Sequence, residues 1–208
     1  MPGRFLVMEG IDGSGKSSQV ERLHHWLPRS RLMPAGAKLL VTREPGGTPL
    51  GEQLRPILFN RQLTVHSRAE LLLFAADRAQ HVEDCIRPAL NAGHWVVSDR
   101  FSGSTVAYQG YGRGCDLELI HTLEQMATGG LTPDLTLWLD LPPQRARTRK
   151  PPTHQDRFEG AGLEFMQRVA DGFQQLAVER DWWRIPAGQP CAAVEAAIQD
   201  AIRRTFTV

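Results

Sequence analysis

Cysteine is scarce in this chain. There are three in 208 residues, at positions 85, 115 and 191. Their wide spacing and odd number form neither a disulfide framework nor a metal motif. Each reads as core filler or a chance surface thiol, which suits a reducing cytosol. No apolar run approaches the roughly 20 residues of a membrane span. The opening "MPGRFLVMEG" is too short for a secretory signal and leads straight into a motif. A cytoplasmic protein with no membrane partner is the expectation. The net charge is only +1, so no global basic field argues for nucleic acid. Repeats, low-complexity tracts and linkers are also missing. Length and composition suit a single soluble domain over residues 1–208.

What is present is an alternation of apolar runs and helical patterns. "RFLVMEG" reads as a buried strand, because parallel sheets give near-continuous apolar strands. Lys38–Thr42, His94–Asp99, Asp134–Asp140 and "WWRIP" read as four more. Helices are expected over Lys16–Leu27, stopped by Pro28, and over "PLGEQLRPILF", with Pro56 kinking or ending it. Further helices are expected over Ser67–Asn91, Ser102–Tyr108, Asp116–Thr128, Gly162–Asp181 and Ala192–Thr205. "PPQRARTRK" starts a helix that breaks into "PPTHQD", the most loop-like stretch of the chain. Strands alternating with helices predict an α/β fold built on a parallel sheet.

"GIDGSGKSS", residues 10–18, carries the strongest signal. Gly10, Gly15, Lys16 and Ser17 satisfy the spacing G-x-x-x-x-G-K-S between a strand and a helix. Glycines let successive N–H groups turn inward onto phosphate oxygens, and the following helix adds its positive end. Gly10, Ile11, Asp12, Gly13, Ser14, Gly15, Lys16, Ser17 and Ser18 are therefore the expected ATP-binding loop. Lys16 can bridge the β- and γ-phosphates, and Ser17 can offer its hydroxyl to Mg²⁺. Asp12 stands out, since a carboxylate beside phosphates is repelled. It is expected to face a second substrate or solvent.

The acceptor side is expected where strands end, as in open α/β sheets generally. Asp99 closes an apolar strand and can hold the water shell of Mg²⁺. Arg43 and Arg100 follow adjacent strands and can grip an acceptor phosphate, although each alone could be a surface ion pair. Phe74 and Arg78 lie four residues apart on one helical face. That pair can stack on a base and donate to its carbonyl edge. On spacing alone Phe74 reads as core.

"GIDGSGKS", "TREPGGTP", "LLLFAADRAQH", "DRFSGSTVAYQGYGRG", "PDLTLWLD" and "DRFE" occur in this order. Together they resemble bacterial thymidylate kinases over nearly the whole chain. The resemblance implies a three-layer P-loop NTPase-type fold, with a five-stranded parallel sheet flanked by helices and a mobile lid. It implies transfer of phosphate from ATP to dTMP, with Mg²⁺, giving dTDP and ADP on the way to dTTP. Asp12 matches a carboxylate facing the sugar 3′-hydroxyl. Arg43 and Arg100 match residues approaching the dTMP phosphate. Phe74 matches the ring stacked on thymine, which reverses the core reading, and Arg78 matches the donor to its carbonyl. Ser104, Tyr108 and Gln109 match the segment walling base and sugar. A homodimer built through apolar helices is also implied, and Leu71–Ala76 is compatible with one.

The lid segment, about residues 145–160, offers Arg145, Arg147, Arg149, Lys150 and Arg157. The phosphate loop holds no arginine between Gly10 and Lys16. In the resembled family such loops go with catalytic arginines from the lid, so Arg149 and Arg157 join Lys16 and Arg100 as catalytic candidates. The proline-containing "RKPPTHQ" departs from the usual lid, and leaves open which arginine acts. Two other readings remain on the sequence: another P-loop nucleoside or nucleotide kinase, or a nucleotide-binding switch with no small acceptor.

Overall fold

A computed structural model of the chain describes residues 3–149 and 157–207. Five parallel strands form one sheet in the order β2-β3-β1-β4-β5. They are β1 (Arg4–Glu9), β2 (Leu39–Arg43), β3 (Trp95–Asp99), β4 (Leu135–Asp140) and β5 (Trp183–Pro186). The central strand β1 is buried from Phe5 to Glu9. Its alternation feeds two cores. Leu6 and Met8 join the larger one, while Phe5 and Val7 join a smaller one with Val82, Ile86, Val96 and Phe101. A strand with apolar side chains on both faces must be covered on both, and helices do this.

The helices are α1 (Lys16–Trp26), α2 (Pro49–Phe59), α3 (Ser67–His81), α4 (Arg87–Asn91), α5 (Ser102–Thr105) and α6 (Leu117–Thr128). They continue with α7 (Pro143–Thr148), α8 (Leu163–Glu179) and α9 (Cys191–Phe206). Pro28 does end α1, through a short 3₁₀ turn over Leu27–Arg29. Pro56 does not end α2, which runs on to Phe59. Pro56 leaves the Glu52 carbonyl without its helical partner, yet one more turn follows it.

The helical run expected over Ser67–Asn91 is broken by a π turn at Val82–Ile86. Arg87 N–H bonds the Val82 carbonyl, five residues back. The widened turn precedes Pro88, whose ring would otherwise crowd the carbonyl four residues earlier. A second π segment, Val106–Gly112, continues α5 past the expected end at Tyr108. π turns inside helices often mark functional sites, and this one carries Tyr108 and Gln109. Asp116 caps α6, accepting from Glu118 N at 2.8 Å. The lid stretch "PPTHQD" lies outside the described residues, as does Lys150.

Because all strands run the same way, their carboxyl ends meet on one side. Neighbours β2 and β3 end in register at Arg43 and Asp99. The loop after β1 lies beside them, between strands that cross over in opposite directions. A ligand site is expected there.

Candidate active site

The loop from Gly10 to Gly15 joins β1 to α1. Gly13 has φ +80°, and a Cβ there would stand 2.8 Å from the Ala146 carbonyl oxygen of α7. Both conformation and space therefore demand glycine. Ser14 Oγ is buried with no hydrogen-bond partner among the described residues. Lys16 Nζ donates to the Gly10 and Ile11 carbonyls at 3.0 Å each. Burial pulls its pKa down to about 8, Arg100 pushes the same way, and Asp12, Asp99 and Glu9 oppose them. A phosphate in the loop would favour the charged amine. The Ile11 side chain is buried in the main core, so Ile11 gives this site its backbone alone.

Ser17 Oγ donates to Asp99 Oδ2 at 2.8 Å. No group of three or more His, Cys, Asp or Glu able to hold a metal occurs among the described residues. Two hard oxygen ligands without a protein cage fit Mg²⁺, which keeps waters and leans on nucleotide phosphates.

A cleft of about 590 Å³ opens over the loop. Besides residues 12–19 it is lined by Arg43, Arg55, Asp99, Arg100, Arg149, Ala187, Gln189 and Cys191. Arg149 donates to the Ala187 carbonyl at 2.8 Å and makes longer contacts, 3.4 Å, to the Gly13 and Ser14 carbonyls. Arg145 Nη2 donates to the Gly188 carbonyl at 2.7 Å. The two lid-proximal arginines thus tie α7 to the turn after β5.

Arg100 is the meeting point of the two halves. Its backbone sits in the left-handed region, φ +77°, which turns the side chain back over the loop. Nη1 donates to Gly10 O at 3.0 Å and to Ser104 Oγ at 2.8 Å, and Nη2 to Asp12 Oδ1 at 2.7 Å. Burial alone would lower its pKa, but Asp12, Tyr108, Asp99 and Glu9 hold it well above the ordinary arginine value. Asp12 Oδ2 accepts from Tyr108 Oη at 3.0 Å, while Asp12 also lines the large cleft. Tyr108 is raised well above 10.0, first by burial and then by Asp12, so it stays a neutral donor. Beneath them, buried Glu9 accepts from the Phe101 and Ser104 amides and from Ser104 Oγ. That pins the start of α5.

A second, much smaller cavity of about 40 Å³ adjoins Asp12 and Arg100. Phe74, Arg78, Ser104, Tyr108 and Gln109 all line it, together with Glu44, Pro45, Phe59, Thr105 and Phe158. Arg78 is held there by three bonds. Nε reaches Glu44 Oε2 at 2.8 Å, Nη1 reaches Thr105 Oγ1 at 2.9 Å, and Nη2 reaches Phe101 O at 3.0 Å. Two of its five N–H groups take no part in these three bonds.

Several residues here escaped the sequence reading. Arg55 shares the large cleft, and its pKa is lowered first by burial and then by Arg43 and Arg100. Three cations facing one space make an anion trap. Nothing in the spacing of Arg55 within α2 marks it. Glu44 binds both Arg78 and His81 and is buried; its place after Arg43 at a strand end was the available signal. Phe158, from "DRFE", fills the small cavity at 2 % exposure. Its neighbour Arg157 pairs with Glu70 of α3 and does not line the large cleft.

The chain also has relatives. The sequence model of the thymidylate kinase family matches residues 8–198. A thymidylate kinase of Synechococcus sp. (strain CC9605) is 56% identical over 201 residues, covering 96% of both chains. One from Prochlorococcus marinus (strain MIT 9313) is 55% identical over 208 residues, covering 99% of this chain and 96% of that one. Among solved structures, thymidylate kinase from Ehrlichia chaffeensis superposes with a TM-score of 0.77 at 32% identity, over 97% of this chain and 99% of its own. The loop, the strand ends and these relatives converge: the chain belongs to the thymidylate kinase family.

Proposed function

We propose that the large cleft binds ATP, the small cavity binds dTMP, and the protein transfers the γ-phosphate to give dTDP and ADP. The carrying observation is Arg100. One guanidinium bonds the Gly10 carbonyl of the phosphate loop and the Asp12 carboxylate that faces the small cavity. It lies where donor and acceptor phosphates must meet. Arg43 and Arg55 face the same space and would help hold the acceptor's phosphate.

The acceptor oxygen is already an anion, so the reaction needs no strong base. Catalysis then consists of positioning and charge stabilisation. Lys16 and the loop amides hold the donor phosphates. Ser17 and Asp99 would hold Mg²⁺, which supplies neutralisation of phosphate charge when bound. Arg149 already bridges the loop carbonyls and the turn after β5, and this supports it as the lid arginine acting on the transferring group. Arg157 would have to leave Glu70 to do so. Phe74 would stack on thymine, Arg78 would donate to its carbonyl, and Ser104, Tyr108 and Gln109 would wall base and sugar. Asp12 would accept from the 3′-hydroxyl.

No helix among the described residues is long and apolar enough to cross a membrane. Exposed Leu72 on α3, with exposed Leu119 and Met126 two turns apart on one face of α6, supports a homodimer. Sedimentation at micromolar concentration tests it. The function itself is tested by ADP release with ATP and Mg²⁺, offering dTMP, dUMP and thymidine separately. Turnover with dTMP and none with thymidine is expected. Turnover with thymidine alone would overturn the assignment of the arginines.

A further inference from the structure

Glu70 has no place in the scheme above, yet it is among the most constrained residues of the chain. It lies on α3 one turn before Phe74, and its side chain is fully buried. Three long side chains converge on its carboxylate. Gln109 Nε2 donates to Oε1 at 2.7 Å, Arg157 pairs with Oε2, and Arg113 reaches both oxygens at 3.4 Å. A lone buried carboxylate is costly, and removing one partner from such a cluster leaves the others unpaired.

The partners share a destination. Gln109 and Phe158 both line the small cavity. The Arg113 and Arg157 guanidiniums stand 5.4 and 5.2 Å from the Phe158 ring centre. That ring in turn makes contacts of 5.8, 6.0 and 5.7 Å with Phe59, Phe74 and Tyr108. Phe158 walls the small cavity, and the Arg157–Glu70 pair beside it tethers that wall in place.

We infer that Glu70 is a positioning residue for the acceptor. One buried carboxylate sets Gln109 and, through Arg113 and Arg157, seats Phe158 against the acceptor cavity without itself touching substrate. This assigns Arg157 to the anchor and not to the transferring phosphate. The inference rests on the small cavity being the dTMP site.

Steady-state kinetics with ATP and dTMP varied independently test it. In Glu70→Gln an amide N–H faces donors, so the cluster opens. We expect the KM for dTMP to rise roughly tenfold or more, with the KM for ATP within roughly twofold and kcat reduced only slightly. Arg157→Met should give the same split, Arg157→Lys should restore part of it, and the two losses should not add in the double variant. If Glu70→Gln fails to fold, the Arg157 variants carry the test. Equal rises in both KM values would mark a merely structural pair and overturn the inference. So would a roughly thousandfold fall in kcat for Arg157→Met with the KM for dTMP unchanged, which marks a phosphate contact. Phe74→Ala separates the levels. If it leaves the KM for dTMP unchanged, the cavity assignment fails too; if it raises that KM while Glu70→Gln does not, only the present inference fails.

Discussion

The two halves of the site are built by different means. The cleft proposed for the donor is wide, about 590 Å³, and its floor is backbone: a glycine loop, a helix start and carbonyls that hold Lys16. The cavity proposed for the acceptor is about 40 Å³ and is lined by residues from separate stretches of chain. Glu9, Glu44 and Glu70 lie buried around it, each holding part of its wall. A phosphate is recognised by any inward-turned run of N–H groups, so a local sequence suffices. A base and sugar need shape, and shape comes from side chains fixed by a buried polar network.

Several changes would sharpen or break this contrast. The largest effect is expected from Lys16→Met, which removes the cation from the loop. It should lower kcat by roughly 10³-fold while leaving dTMP affinity near wild type, as read by calorimetric titration. An equal loss of dTMP affinity would mean that the halves are not separate. Arg149→Ala should lower kcat by roughly 10²- to 10³-fold with the dTMP KM held, in initial-rate assays. An unchanged kcat would remove Arg149 from the transfer step. Arg43→Ala strikes the other half. Losing one of three converging cations should raise the KM for dTMP roughly tenfold and leave thymidine binding unaltered.

A further effect is on stability and not on turnover. Asp77 accepts from Gly46 N, in the loop between β2 and α2, at 3.0 Å, and its Oδ2 has no hydrogen-bond partner among the described residues. Burial first, and then Glu44, raise its pKa from 3.8 to about 6. The folded state therefore binds the proton more tightly than the unfolded state. Stability from this group is full below pH 4 and is lost as pH rises through about 6, by about 3 kcal/mol at most. Asp77→Asn should flatten that fall in denaturant titrations across pH 4–7. A fall that persists in the variant would place its origin elsewhere.

The placement of strands and helices along the chain was largely legible, because apolar runs and Gly and Pro punctuation are local signals; the order β2-β3-β1-β4-β5 was not, because it is set by crossovers between distant segments. The π turns at Val82–Ile86 and Val106–Gly112 were not, since nothing in a hydrophobic period distinguishes a widened turn. The same divide runs through the site. The glycine loop from Gly10 to Gly15 between β1 and α1 could be read directly from its spacing. Arg55, Glu44, Glu70 and Phe158 were missed. Each takes its meaning from a partner 10 to 50 or more residues away: Pro45 for Arg55, Arg78 for Glu44, Gln109 for Glu70 and Tyr108 for Phe158. In "DRFE" the arginine drew the reading because charge suggests chemistry. The phenylalanine beside it is the residue that lines the small cavity.

The central claim is that a phosphate passes from the wide half to the narrow half across Arg100. Phosphorus NMR of ATP and dTMP with the protein and Mg²⁺ observes this directly. The account predicts a growing dTDP β-phosphate signal matched by ADP, with no inorganic phosphate. Inorganic phosphate accumulating while the dTMP signal stays constant would contradict it.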